Sequence, residues 1–488
     1  MRIELIILLV YLLGCISIGV YSQRKARNAT SHEFLTGGES SGIFVGGMAM
    51  FAAFATGGTL LGNMGLSYGF GWGYMAAMNA GVVLGFLLVS FFIAKPFRNM
   101  KIATVPEFFK VRYDSQLLRI LIPILLICTI TAYIVAQMKV AGMIGEQVLG
   151  IPYFWAVIIM GCVYIFYTAI GGMWAVTITD VLQGTLMFFI ATVAAMLVLG
   201  EYGGPVEAYK AAVTIKPDWA QAGKVPLSSY AGAFLIWATC ICVTPHTLMR
   251  VFAARNARVG RISLGILTLL YTLTCIFTTI FIVSGSVILN NGQNPVGGGD
   301  GAFLTVVDKL FSTGLAGLTF AAIFAAVMSS VSAMLLSIAA AASYDLARII
   351  NPDITDKATK RLNVGFIFGI GVLVMVLAMN PPPFLTVLYS AAMGLLASCL
   401  FWPTILGAWW KRMNKQGCLA CMLGSGGVYL VCLFVLDLPM LSQICYSLPV
   451  GFVLSVGVSL MTEPPSEREL HRIAIAHERE YDEQRDAI

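Results

Sequence analysis

Long apolar segments recur along the whole chain, and nothing else in it restricts the fold as much. With about 20 apolar residues per bilayer crossing, thirteen spans are predicted, near 3–22, 43–68, 72–94, 119–146, 153–170, 179–200, 228–253, 263–288, 316–344, 362–379, 384–410, 418–436 and 441–461. Numbered 0 to 12 in chain order, they leave short loops and a charged tail over 462–488. Residues 1–461 therefore read as one all-α transmembrane domain, with no room for a soluble catalytic domain or a nucleic-acid-binding module. Composition agrees: 11% of the 488 residues are charged, against about 25% in soluble proteins. A channel is disfavoured because no ring of pore-lining charge and no repeated filter is visible.

The first apolar segment follows a single basic residue, Arg2, and lacks a small-residue cleavage site. It reads as a retained span rather than a signal peptide. The 11 cysteines fall mostly within apolar segments, so no disulfide framework is implied. Cys418 and Cys421 form a C-x-x-C without a second pair or nearby histidines, a poor metal or redox site.

Lysine and arginine set the expected orientation. One set of alternate loops carries Arg24, Lys25 and Arg27, then Lys95 to Arg119, then Arg255, Arg258 and Arg261, then Arg348 to Arg361, then Lys411 to Lys415. The opposite set has only Arg2, Lys210, Lys216, Lys224 and Lys309. The richer set is cytoplasmic, which puts the N-terminus outside and the tail inside, in a multi-pass protein of the cell membrane. The tail, with alternating charges from Ser466 to Asp486, reads as a solvated helix.

Ionisable residues inside spans are functional candidates by default. Basic ones are Lys139, which could snorkel or pair, and Arg250, near enough to the inner end of span 6 to reach headgroups. Asp180, at the cytoplasmic start of span 5, lies too near the edge for a buried midplane carboxylate; it is a candidate gate or ion-exit group, or a surface cap. His246 follows the span 6 proline, where an imidazole can cap or pack; the alternative is contact with the substrate or a coupling proton.

Two stretches carry chemistry. In span 8, Ala326, Ser329 and Ser330 fall at i, i+3 and i+4 and share a helix face. Two hydroxyls beside an alanine carbonyl make part of a weak oxygen cage, suited to a monovalent cation; the alternative is close packing of small residues. In span 1, Thr56-Gly57-Gly58-Thr59 lies mid-span and weakens the helix there. Backbone opened at that depth must be buried or line a wet cavity. Its inner carbonyls can face a cation and its outer amides an anion. Span 6 is interrupted at Thr244-Pro245, where proline removes a donor. Spans 1 and 6 begin about 185 residues apart and each opens a group of five. Interrupted spans at matching places in two halves point to an inverted-repeat secondary transporter.

With these pieces in place the chain resembles the sodium/solute symporter family over about residues 1–460. The matching segments, in family order, are Phe34-Leu35-Thr36-Gly37-Gly38-Glu39, Thr104-Val105-Pro106-Glu107-Phe108-Phe109, Tyr167-Thr168-Ala169-Ile170-Gly171-Gly172 through Thr179-Asp180-Val181-Leu182-Gln183-Gly184, Pro245-His246-Thr247-Leu248-Met249-Arg250, and Ala325-Ala326-Val327-Met328-Ser329-Ser330. The resemblance implies a LeuT-type fold: an extra N-terminal span at 3–22, inverted repeats at 43–200 and 228–410, and two C-terminal spans at 418–461. It implies sodium as the coupling ion, held by the carbonyls of Ala52, Ala55 and Ala326 and the hydroxyls of Ser329 and Ser330. Some members use the span 5 aspartate, here Asp180, for a second sodium. Phe54 and Ala333 stand where polar groups would be expected, which favours one ion.

The expected cargo is a small, largely apolar organic anion whose carboxylate faces the amides of Thr56, Gly57, Gly58 and Thr59, with Gln137 and Thr244 as further contacts. A sugar needs more hydrogen bonds than Asn63, Asn79, Gln137, Gln183 and Tyr133 offer. Phe51, Phe54, Trp72, Trp237, Phe384 and Tyr389 read as lipid- or core-facing. The 381–384 run and the segment from Phe401 to Arg412 are similar to the pantothenate and monocarboxylate branch. Alternatives are a proline-like amino acid or sugar symporter, or a transporter-like sensor. No obligatory protein partner is evident.

Overall fold

The structure, a computed structural model, describes residues 3–221, 223–295, 298–380, 385–436 and 438–477. Eleven helices among them are long and apolar enough to cross a membrane, and a bent pair, Ile43–Phe54 with Gly58–Phe70, makes a twelfth. The shorter apolar helix Tyr153–Ala169 occupies the place expected for span 4. It joins span 5, Gly172–Glu201, at Gly172, whose φ of 57° suits glycine. A Cβ there would lie 2.5 Å from the Phe34 ring, so the turn needs glycine on packing grounds too. The Pro381–Phe384 run, Phe384 included, and the tail beyond residue 477 lie outside the described residues.

Span 8, Thr313–Ile350, is the axis of the molecule: its apolar window is wholly buried. Alanine and serine along it let spans 0, 3, 5 and 9 approach, which is how small-residue faces pack in membranes. Spans 11 and 12 form a hairpin against span 10. Ser398 and Ser447 share a 2.7 Å hydrogen bond there, and Ser425 donates to the Ser447 carbonyl.

Both expected interruptions are present. Span 1 stops at Phe54, bends by 61° and resumes as a π turn over Gly58–Gly62. Span 6 consists of Leu227–Cys240 and Pro245–Phe252. The N-terminal end of span 1 and the C-terminal end of span 6 are tied together. Ser41 and the Ala253–Arg255 turn exchange backbone hydrogen bonds. Arg98 from span 2 reaches Glu39 at 2.7 Å and the carbonyls of Ala254 and Arg255.

Three expectations are corrected. Arg250 does not reach headgroups; it is buried and paired with Asp180 at 2.5 Å. Asp180 in turn is fully buried rather than at an accessible edge, because the guanidinium from span 6 supplies the countercharge that burial demands. Over its described residues, the tail is not a freely solvated helix. Glu467–His477, with Ser466 and Glu469 hydrogen-bonded at its start, buries Ile473 and Ala476. Lys95 and Asn99 donate to the carbonyls of His477 and Ala476, Arg472 donates to Val111, and the His477 ring meets Ala408 and Trp409. An apolar pair three residues apart within a charged helix suffices to dock it.

Candidate functional site

The break in span 1 leaves the carbonyls at the end of its first half without helical partners. Ser329 Oγ donates to the Ala52 carbonyl at 2.7 Å and lies 3.1 Å from that of Ala326. Ser330 Oγ donates to Ala326 at 2.8 Å and approaches the Ala53 carbonyl at 3.4 Å. Ala52, Ala326, Ser329 and Ser330 thus come together, all fully buried. Ala55, also buried, is the last residue before the break, with its amide on Phe51. These oxygens carry no formal charge. On the same stretch of backbone, Arg250 donates to the Ala49 carbonyl at 3.1 Å, and Asp180 balances its charge.

On the C-terminal side of the break, Thr56 N–H donates to Thr59 Oγ1 at 3.2 Å, and the amides of Thr59 and Leu60 donate to the Thr56 carbonyl. The residues assigned to substrate divide. Thr56 and Thr59 line a small cavity of about 10 Å³, together with Phe54, Asn63, Met78, Tyr133, Trp237, Tyr271 and Tyr389. Gly58 abuts its wall: a Cβ there would lie 3.1 Å from the Tyr389 hydroxyl. Gly57 turns away, towards Val327 and Val140. Gln137 sits behind, with its amide 3.5 Å from Thr56 Oγ1. Thr244 donates to Cys240 within span 6 and does not line the cavity.

The cavity walls are aromatic. Tyr133 stacks on Tyr389 at 4.7 Å, and Phe54 meets Tyr271 and Trp237 edge-on at 5.3 and 6.0 Å. No lining residue is charged. Asn63 Oδ1 and Trp237 Nε1 are buried without a hydrogen-bond partner. Phe54, Trp237 and Tyr389 are core-facing, as expected, and also wall this cavity, whereas Phe51 packs on Phe188 and Trp72 on Tyr209. Sequence reasoning missed Tyr271 and Met78 altogether, since one aromatic or thioether in an apolar span looks like any other. The usable signal was a phenol at mid-depth of span 7. His246 packs edge-on against Tyr133 at 6.0 Å, the packing role expected of it.

A bent span contributing carbonyls, a facing helix contributing hydroxyls, and a small cavity beside the bend can couple a cation to an organic solute. Comparison with known proteins agrees. The profile of the sodium:solute symporter family matches residues 34–425. The sodium/pantothenate symporter of Escherichia coli (strain K12) is 29% identical over 88% of this chain and 91% of its own length. The osmoregulated proline transporter OpuE of Bacillus subtilis (strain 168) is 26% identical over 96% of each. In fold, a Na+-coupled sialic acid symporter, solved substrate-bound and outward-open, superposes with a TM-score of 0.80 at 19% identity, over 96% of this chain and 99% of that one. The nucleobase-cation-symport-1 transporter Mhp1, closed with bromovinylhydantoin bound, gives 0.57 at 14% identity, over 89% and 96%. The chain is an integral membrane protein with the LeuT-type fold, and it belongs to the sodium:solute symporter family of sodium-coupled carriers.

Proposed function

We propose that the protein imports a small organic anion, of the monocarboxylate or pantothenate-like class, together with sodium. The observation that carries this is the neutral oxygen cluster of Ala52, Ala326, Ser329 and Ser330 beside a cavity with hydroxyl and amide donors and no charged wall. Sodium takes the carbonyls of Ala52, Ala55 and Ala326 and both hydroxyls. The serine protons then turn onto neighbouring carbonyls and their lone pairs face the ion. The solute carboxylate meets Thr56, Thr59, Asn63 and the amides heading the outer half of span 1, and its apolar body meets the rings. As the walls stand the cavity has room for about one water, so entry of a monocarboxylate or a longer solute requires Tyr389 or Trp237 to move. Identity with the sodium/pantothenate symporter supports the anion class.

Sodium and solute stabilise one another only if both favour the same conformation. The cage joins spans 1 and 8, and the cavity begins one turn further along span 1, so ordering the bend serves both. Inward sodium movement supplies about 2.3 kcal/mol per 100 mV from the electrical component. Asp180, held by Arg250 under the cage, serves as the inner gate or as a station for a second ion. The N-terminus faces outside and the tail the cytoplasm, in the plasma or inner membrane.

A second reading, a zwitterion such as proline, draws on the same rings: an ammonium group can sit against aromatic faces, and the osmoregulated proline transporter is a relative. The deciding experiment is a sodium-dependent thermal-shift screen of monocarboxylates, pantothenate, proline and sugars, followed by uptake into liposomes under an imposed sodium gradient. A monocarboxylate or pantothenate that stabilises only with sodium supports the anion reading. Stabilisation by proline alone overturns it in favour of the zwitterion, and uptake indifferent to the sodium gradient overturns both.

A further inference from the structure

We infer that Tyr11, on the extra N-terminal span, is a positioning residue for the sodium cage; the inference rests on the cage proposed above. Span 0 has a lipid face of exposed apolar residues, Val10, Leu13 and Val20 among them, and a buried face carrying Leu8 and Cys15. Tyr11 lies on that buried face, four residues before Cys15. A phenol and a thiol are unusual cargo for a helix that needs only to anchor in hydrocarbon.

Both polar groups are engaged by the core. Gln183 Nε2 donates to the Tyr11 hydroxyl at 2.8 Å and lies 3.9 Å from Cys15 Sγ. The Tyr11 hydroxyl in turn donates towards Met328 Sδ at 3.8 Å. Gln183 and Met328 are both fully buried. Met328 immediately precedes Ser329. Gly184, next to Gln183, is where span 5 meets span 1: a Cβ there would lie 3.0 Å from the Met48 carbonyl and 3.3 Å from Ala52 Cβ. One hydroxyl therefore touches the residue before Ser329 and the residue before Gly184, which backs Ala52. It fixes span 5, which backs Ala52, against span 8, which carries Ser329.

Within a bilayer an unpartnered amide has no water to fall back on, so loss of this hydroxyl relaxes the Gln183 side chain and the spacing of spans 5 and 8. The consequence belongs to sodium first. Ala52 and Ser329 must stand at one separation to coordinate an ion, whereas the solute cavity lies beyond the bend, is walled by the later part of span 1 with spans 2, 3, 6, 7 and 10, and has no lining residue from spans 5 or 8.

The test compares Tyr11→Phe, Gln183→Ala and the double variant in liposomes, with Ser329→Ala alongside. It reads sodium half-saturation at saturating solute, solute KM at saturating sodium, and the melting temperature without sodium. Tyr11→Phe keeps the ring and its packing. We expect it to raise sodium half-saturation about three- to twenty-fold, the span covered by one interhelical hydrogen bond in a membrane protein. Solute KM and the sodium-free melting temperature stay as in the unmodified protein, and the double variant is no worse than Gln183→Ala. Unchanged sodium half-saturation in Tyr11→Phe, with Ser329→Ala impaired, overturns the positioning role and leaves the cage standing. A parallel fall in sodium affinity, solute affinity and melting temperature also overturns it, since that marks a merely structural contact. If Ser329→Ala too leaves sodium half-saturation unchanged, the cage itself is wrong and the inference goes with it.

Discussion

Ser329 donates its hydroxyl hydrogen to the carbonyl of Ala52 at 2.7 Å, joining positions 277 residues apart in the chain. The contact exists because the glycine pair two turns above Ala49 ends the inner half of span 1 and frees the carbonyl. The same geometry that satisfies this carbonyl gathers oxygens around a point where a cation can sit.

The bend depends on glycine at position 57. A Cβ there would approach Val327 Cγ2 at 2.6 Å and Val140 Cγ1 at 3.0 Å, an overpacking that costs about 1–3 kcal/mol. Gly57→Ala is therefore expected to cut transport at least tenfold and lower the melting temperature. Adding Val327→Ala should recover much of both. Transport by the double variant no better than by Gly57→Ala would show that the backbone, not the clash, is at fault.

Asp180 and Arg250 are both buried and carry opposite charges. Removing one partner strands the other charge in a low-dielectric interior, at about 3–5 kcal/mol. Arg250→Met should destabilise the protein strongly, and Arg250→Met with Asp180→Asn should be more stable than Arg250→Met alone. Melting in detergent checks the order of the three proteins.

The docked tail makes a stability prediction of its own. Deleting residues 464–488 uncovers Trp409 and takes away the carbonyls that Lys95 and Asn99 bond. The melting temperature should fall by a few degrees. Arg472→Ala, which removes only the bond to Val111, should fall by less.

Between spans 7 and 8, the turn at Asp300 packs on Gly65 of the outer half of span 1. Burial raises the Asp300 carboxyl above its ordinary value, and the charge of Lys139 offsets part of that. The folded state therefore holds the proton more tightly than the unfolded chain does. Its contribution to stability is full below the ordinary carboxylate range and is lost as pH rises through the raised value. Hydrogen exchange in the turn should speed up across that window, and Asp300→Asn should flatten the dependence.

Much of this was legible in the residues. Apolar runs located the spans, because a bilayer requires a minimum length. Thr56 to Thr59 located the bend, because glycine in mid-span has few other uses. The i, i+3, i+4 spacing put Ala326, Ser329 and Ser330 on one face. What stayed hidden depended on distance in sequence. Asp180 and Arg250 are 70 residues apart, and only their opposite charge at similar depth hinted at pairing. Trp237 and Tyr271 face the cavity through helix rotation, which hydropathy does not encode. Ile473 and Ala476 were masked by the charges around them, so the tail looked solvated.

The most direct measurement is the sodium dependence of solute uptake by the Ser329→Ala, Ser330→Ala double variant in liposomes. The account predicts a correctly folded protein, with an unchanged sodium-free melting temperature, whose uptake no longer rises with an imposed sodium gradient and whose stability no longer rises with added sodium. Uptake that still follows the sodium gradient with the original half-saturation would contradict it.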